Sequence, residues 1–281
     1  MRIIGITGGK GGTGKSTVAT ALAVELAKNN SVLLADMDVE CPNDHLILNI
    51  KRKEIKKIYQ RIPEFDTEKC TGCGKCANVC KTNAIVSIKN KPPIFIKEQC
   101  NGCGACMIVC KDHAVYWAKK PIGKLYSGKN YNIDLVTGEL KISEPVSEIV
   151  VDHIKEMIEK NKEKYDFILI DTAAGTHCDV ICALSYCDFV LGVTEPTPLG
   201  IHDVELIIRL IIKLKKPFDI ILNRYEKENE HMITNMLEKY NKRIFAKIPY
   251  KKEIMEKYSK GIPIKDESII KIAEAVRNGS D

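Results

Sequence analysis

The 281-residue sequence predicts an α/β fold, a mostly parallel sheet covered by helices on both faces and interrupted by a small inserted α+β module. Three observations carry this expectation. Short apolar runs alternate with helix-length amphipathic segments at both ends of the chain, the alternation stops after residue 38 and resumes near Ser147, and the gap holds two copies of one cysteine spacing.

The elements follow in order. Residues 2–7 read as a buried strand, 8–14 as a glycine-rich turn and 15–28 as a helix rich in alanine and leucine. A second strand over 32–35 ends in Asp36-Met37-Asp38. On the return, a small hairpin is expected within 132–142, with Thr137-Gly138 as its turn. From Ser147 the spacing predicts a helix to about residue 160, then strand 167–170, helix 179–184, strand 189–193 and helix 201–213. Strand 219–222, helix 226–240, strand 244–248 and two short C-terminal helices complete the pattern.

Composition narrows the class. Charged residues make up 28% and hydrophobic ones 44%, as in an ordinary globular domain. No run approaches the roughly 18–20 apolar residues of a membrane span, and the first residues form a strand pattern instead of an export signal, so a cytoplasmic location is expected. Ile269, Ile270, Ile272 and Ala273 suit a docked helix, and the Asn-Gly-Ser-Asp tail lacks the basic residues of a membrane anchor. The net charge of +6 is dispersed, so no nucleic-acid partner is expected. Twelve cysteines without an export signal point to metal or redox chemistry and away from disulfides.

The run Gly8-Gly9-Lys10-Gly11-Gly12-Thr13-Gly14-Lys15-Ser16 fits G-x-x-x-x-G-K-[ST] through Gly9, Gly14, Lys15 and Ser16, directly after a strand and before a helix. Glycines let the backbone curl so that its N–H groups face phosphates, and the helix N-terminus adds positive potential there. Lys15 is expected at the β- and γ-phosphates and the Ser16 hydroxyl on Mg²⁺, with Gly11, Gly12, Thr13 and Thr17 completing the cradle. The additional Lys10 makes the loop resemble the deviant Walker A motif, K-G-G-x-G-K-[ST], of the MinD/ParA family of P-loop NTPases, to which the nitrogenase iron protein and related iron–sulfur cluster carriers belong.

That resemblance implies ATP and ADP as ligands and a nucleotide-sandwich homodimer in which Lys10 touches the partner's phosphates. It also implies that Asp38 and Asn43 lie in switch I, with Asp38 orienting the attacking water; Asp36 is the alternative for that role, or a holder of Mg²⁺ through water. Asp171 resembles the Walker B aspartate of switch II, with Gly175 near the γ-phosphate, although a strand-terminal aspartate is also an ordinary helix cap. Asp171-Thr172-Ala173-Ala174-Gly175 lacks the proline common in the family, which bears on switch II stiffness. Asn223 matches the asparagine that reads adenine in relatives, and also suits ordinary turn chemistry. The run Glu195 to Gly200 adds to the likeness. Lys10, Lys15 and Asp38 are therefore the expected catalytic residues.

Cys70, Cys73, Cys76 and Cys80 recur in the same spacing as Cys100, Cys103, Cys106 and Cys110, which is the bacterial two-cluster ferredoxin pattern. One [4Fe–4S] cluster is expected on Cys70, Cys73, Cys76 and Cys110, and the other on Cys100, Cys103, Cys106 and Cys80. Gly72, Gly74, Gly102 and Gly104 allow backbone N–H groups to approach sulfur. Zinc competes, but its structural sites need no third cysteine at this spacing. Lys81 and Lys111 stand where many ferredoxins carry proline, which removes no ligand. The expected division is an ATPase domain of residues 1–58 and 121–281 and a ferredoxin domain of 59–120. The basic run 51–57 and Lys119, Lys120 and Lys124 read as solvated linker, with docking of an acidic redox partner as the alternative.

Cys178 and Cys182, four apart, would share a helix face after switch II. Resemblance to the nitrogenase iron protein makes them candidates for a third, dimer-bridging cluster; the alternative is small buried apolar residues. Cys187 and Cys41 read as structural. The combination resembles MinD-superfamily ATPases with an inserted ferredoxin domain. It implies nucleotide-gated electron transfer to an acceptor protein, with an iron–sulfur scaffold or carrier as the alternative and spatial positioning of cargo as a third reading.

Overall fold

The computed structural model describes residues 1–226 and 230–279. β1 (Arg2–Thr7) is apolar from Ile3 to Ile6 and almost wholly buried, and α1 (Lys15–Leu26) follows the glycine-rich loop. β2 (Val32–Met37) and α2 (Asp44–Ile47) lead into β3 (Lys53–Phe65), after which come α3 (Lys75–Val79), β4 (Ile85–Ile88), β5 (Lys91–Phe95) and α4 (Ala105–Ile108). β6 (Val115–Asn130) and β7 (Ile133–Leu140) return the chain to α5 (Glu148–Glu159). β8 (Phe167–Thr172), α6 (Cys178–Ser185), β9 (Phe189–Thr194), α7 (Pro198–Lys213), β10 (Phe218–Tyr225), α8 (Glu230–Glu238), β11 (Ile244–Pro249), α9 (Lys252–Ser259) and α10 (Glu267–Asn278) complete the chain. Residues 227–229 of the helix predicted over 226–240 and the last two residues of the tail fall outside the described residues.

Nine strands form one sheet in the order β11-β10-β9-β1-β8-β2-β7-β6-β3. The seven from β11 to β7 run parallel, while β6 and β3 are antiparallel at one edge. Because side chains alternate across a strand, Ile4, Leu34, Leu135 and Leu169 meet α1 and α10 on one face, and Ile3, Leu33, Val136 and Ile168 meet α5, α6 and α7 on the other. Strands buried on both faces are read as continuous apolar runs, as β1, β8 and β9 are.

Two expectations are corrected here. Thr137-Gly138 is no turn: residues 133–140 form one strand, parallel to β2, with Gly138 packed so closely under Val39, Val150 and Ile154 that an added Cβ would meet them at 2.7–2.9 Å. The hairpin turn is at Tyr131 and Asn132, whose φ values of 50° and 60° are those of a two-residue loop joining β6 to β7. The basic run at 51–57 is no linker either, since β3 begins at Lys53 and pairs with β6 from Lys53↔Ser127 to Phe65↔Val115. Its exposed charges, with Lys124 ion-paired to Glu54 at 2.8 Å, lie on the edge strand, where charge discourages pairing with a further chain.

β3 and β6 form a long arm that continues past residues 58/59 and 120/121, with a shift of register at Ile58/Tyr59 opposite 121–123. At its far end the cysteine-rich segment packs α3, α4 and the β4–β5 hairpin around Phe65, Ile85, Phe95 and Val115. Lys120, grouped above with solvated lysines, is buried on the arm. Its ammonium pairs with Glu144 at 2.6 Å, both side chains being under one-tenth exposed, and donates to the Lys97 carbonyl at 2.8 Å.

Candidate nucleotide pocket and cysteine cavities

The C-terminal ends of the parallel strands open into a cavity of about 1050 Å³ beside the glycine-rich loop, lined among others by Gly12, Lys15, Asp38, Cys178, Asn223 and Arg224. Gly12 and Gly14 take φ values of 88° and 94°, which glycine adopts without strain. A Cβ on Gly14 would meet Asn223 Nδ2 at 2.2 Å, so the loop also needs glycine for space. Lys15 is buried, and its Nζ donates to the Lys10 carbonyl at 3.2 Å, folding the loop around it. Burial lowers the Lys15 pKa, while Asp171 and Asp38 act in the opposite sense. Gly9 packs against the Asp203 backbone, Thr13 is buried, and Lys10, Gly11 and Gly12 are exposed at the mouth. Ser16 and Thr17 open α1, half-buried beneath the loop.

Behind the loop stands a row of buried polar groups on the α1 face of the sheet. Register places Asp36 between Asp171 on β8 and Thr137 on β7. Asp44, at the start of α2, donates its backbone N–H to Asp36 Oδ2 at 3.2 Å, which folds residues 37–43 back over the strand ends. Carboxylate oxygens of Asp36, Asp44 and Asp171 all lie within 4.8 Å of one another. Burial raises all three, each also acting on its neighbours, and pushes Asp171 up to about 7 although Ser16 and Lys15 draw it back. Asp44 was not singled out from the sequence, where it reads as an ordinary residue in a polar turn.

Asp38 is half-buried on the pocket wall and accepts from the Cys41 N–H at 3.3 Å; burial raises its pKa. Asn43 and Cys41 are exposed on the same wall. The Gly175 N–H donates to the Gly8 carbonyl at 3.1 Å, tying the segment after β8 to the phosphate loop. Asn223 Nδ2 donates to the Thr13 carbonyl at 2.8 Å, a contact with the loop that the sequence did not indicate. On α6, Cys178 is exposed and lines the pocket, whereas Cys182 turns toward α5, donating to Asp152 Oδ1 at 3.0 Å and accepting from Lys155 Nζ at 3.3 Å. Cys187 is fully buried in the core.

The eight remaining cysteines sort into two small cavities. One is lined by Cys70, Cys73, Cys76 and Cys110, the other by Cys80, Cys100, Cys103 and Cys106, so each repeat sends its last cysteine to the other's cavity. Gly72, Gly74, Gly102 and Gly104 all have φ between 66° and 77°, and the Gly102 and Ala114 N–H groups donate to Cys100 and Cys110 sulfur at 3.3 Å. Among the described residues, the groups of three donor atoms within 4.8 Å of one another do not include these sulfurs.

A glycine-rich loop between β1 and α1, at the carboxyl ends of a parallel sheet, defines an α/β P-loop nucleotide-binding protein. Residues 4–264 match the CobQ/CobB/MinD/ParA nucleotide binding domain, and the chain belongs to that family of P-loop proteins. It is 38% identical to one uncharacterized protein of Methanocaldococcus jannaschii over 93% of this chain and 90% of that one, and 32% identical to a second over 98% and 93%. Among solved structures it is similar to the septum site-determining protein MinD of Pyrococcus horikoshii, complexed with Mg-ADP, at 23% identity and a TM-score of 0.61 over 98% of this chain and 95% of that one. MinD of Aquifex aeolicus, in its complex with MinC, gives 21% identity and a TM-score of 0.61 over 100% and 98%. At those identities the likeness is one of fold. Among the described residues, no helix is long and apolar enough to cross a membrane.

Proposed function

We propose that the chain is an ATP-binding and ATP-hydrolysing protein that carries two [4Fe–4S] clusters on the β3–β6 arm and couples nucleotide state to electron transfer toward an acceptor protein. The observation that carries this reading is the sorting of eight cysteines into two cavities, each completed by the other repeat, on strands continuous with the sheet that bears the phosphate loop. In this reading the cysteine-rich segment within 59–120 is a ferredoxin module inserted into an ATPase of residues 1–58 and 121–281.

The cavities fit a cluster better than a zinc ion. A tetrahedral zinc with Zn–S near 2.3 Å would draw its sulfurs to roughly 3.8 Å from one another, tighter than the grouping found among the described cysteines. Backbone N–H donors on Cys100 and Cys110 sulfur would stabilise the negative charge of a reduced cluster. Bound there, the clusters would supply single-electron transfer.

At the pocket, the loop N–H groups and Lys15 would hold the β- and γ-phosphates, and Ser16 and Asp171 would hold Mg²⁺. Asp38 on the pocket wall would orient the attacking water, and exposed Lys10 is free to reach the phosphates of a second copy in a nucleotide-sandwich dimer. The scaffold or carrier alternative needs Cys178 and Cys182 to share a bridging cluster. Engagement of Cys182 by Asp152 and Lys155 favours the electron-donor reading over it.

The test is anaerobic purification with iron, sulfide and ATP turnover counted in the parent and in a Cys178→Ala/Cys182→Ala variant. Eight irons per chain in both, with turnover, are expected. Extra iron that the variant loses, and that transfers to an apo-protein, would favour the carrier. Iron near zero after reconstitution would overturn both.

A further inference from the structure

We propose that the outer face of the β3–β6 arm, centred on Arg61, Trp117 and Lys119, is the docking surface for an acidic electron-accepting protein, and that electrons leave by the cavity of Cys80, Cys100, Cys103 and Cys106. This rests on the electron-transfer reading above and names the chemistry of its acceptor and the place where it binds.

Charge is not dispersed along the chain, contrary to the expectation from the sequence. Residues 51–130 hold 17 lysines and arginines against 6 aspartates and glutamates, leaving 26 against 31 in the rest of the chain. On the arm, Lys57, Tyr59 and Arg61 alternate on one exposed face of β3, where register sets Lys124 opposite Lys57 and Lys119 opposite Arg61. Like charges directly opposite one another destabilise a strand pair. Guarding an edge against stray pairing requires charge but not this arrangement, since pairs of opposite sign would serve it equally. Lys124 has Glu54 as a partner, but among the described residues Arg61 and Lys119 form no ion pair with a carboxylate.

The same face ends at a cysteine cavity. The Arg61 guanidinium lies over the Trp117 ring at 5.4 Å, and that ring packs against Gly104, where an added Cβ would meet it at 3.0–3.1 Å. Opposite Trp117, Pro63 lines the cavity that contains Cys103, itself exposed. Arginine, tyrosine and tryptophan are the residues that most often anchor a protein interface, and Arg61, Tyr59 and Trp117 stand together here. The surrounding positive charge would steer an acidic partner to the arm, and contact at Trp117 and Gly104 would set that partner beside Cys103. A nucleic acid would be drawn by the same charge, but the position next to Cys103 serves only a partner that takes electrons.

The test uses the full chain, reconstituted anaerobically, reduced with dithionite and freed of the excess. Its probes are an acidic blue-copper protein and a basic c-type cytochrome, both oxidising enough that transfer is downhill. Stopped-flow absorbance follows reduction of Cu(II) to Cu(I), or of haem Fe(III) to Fe(II), by one electron per probe molecule. The copper protein should react about tenfold or more faster at low salt than at about 0.5 M salt, and the cytochrome should show no such loss. Arg61→Gln/Lys119→Gln should remove most of that low-salt advantage at unchanged iron content. Lys213→Gln/Lys239→Gln, which takes the same charge from exposed positions on α7 and just after α8, should keep it. Equal slowing of both variants, or a rate indifferent to salt, overturns the proposal. Self-association that Arg61→Gln/Lys119→Gln abolishes would make a second copy the occupant, and tighter binding of single-stranded DNA than of the acidic protein would make it a nucleic acid; either also overturns the proposal. If the parent holds no iron, the electron-transfer reading fails by itself, while binding of the fluorescently labelled copper protein, read by anisotropy, still tests the face.

Discussion

At the scale of single residues, the cysteines divide by environment more than by spacing. Burial pushes the Cys187 thiol up to about 12, and burial with the Asp152 carboxylate pushes Cys182 up to about 11. Cys178 and Cys41 are exposed. Since only the thiolate is nucleophilic, iodoacetamide at pH 8 should label Cys41 and Cys178 at least roughly 100-fold faster than Cys182 and Cys187, read by peptide mass spectrometry. Comparable labelling of Cys187 would contradict its place in the core. The sign for stability follows as well. A thiol whose folded pKa is raised contributes stability that is present below its unfolded value near 9 and is lost as pH rises toward about 12. Cys187→Ala should therefore flatten the alkaline end of a stability-versus-pH curve. Asp44 shows what residue-level reading could not supply, because nothing in Asn43-Asp44-His45 signals that residues 37–43 fold back to set its carboxylate beside Asp36.

At the scale of elements, the arm formed by β3 and β6 joins the cysteine cavities to the sheet. Lys120 sits where the two meet: its ammonium touches the Lys97 carbonyl within the cysteine-rich segment and Glu144 in the loop after β7. That loop continues into Pro145, Ser147 and Glu148, which line the nucleotide pocket. Lys120→Met leaves the buried Glu144 carboxylate unpaired and should cost about 3–5 kcal/mol, whereas Lys120→Met/Glu144→Leu should recover most of it. Chemical denaturation measures both, and an undestabilised single variant would show that Glu144 finds water. The crossing of the repeats makes a second prediction. Cys110→Ser should deplete the cavity of Cys70, Cys73 and Cys76, and Cys80→Ser that of Cys100, Cys103 and Cys106, so the two variants should each keep about half the iron yet differ in which spectroscopic signal remains. Loss of the same signal in both would show that each repeat closes its own site.

At the scale of the whole molecule, Lys10 is exposed at the pocket mouth while Lys15 is buried inside it. If Lys10 serves a second copy, Lys10→Ala should bind ATP with near-parental affinity yet lose roughly 1,000-fold or more in turnover, the scale attached to a charge aimed at the transferring phosphoryl group. Analytical ultracentrifugation with ATP should then show a dimer in the parent and a weakened one in the variant; full turnover in the variant would place Lys10 outside the reaction. The α/β order, the phosphate loop and the two cysteine repeats were legible in the sequence, because each is written in neighbouring residues: apolar runs of strand length, a glycine frame around Lys15, a fixed spacing of sulfur. Only tertiary structure decided that residues 133–140 form one strand, parallel to β2 and antiparallel to β6, instead of turning at Thr137-Gly138, that Lys120 is buried in an ion pair, and that Thr137 and Asp44 adjoin Asp36. These depend on strand register and on a long excursion of the chain between β2 and β7, and local sequence encodes neither the partner of a strand nor what a folded-back loop will cover.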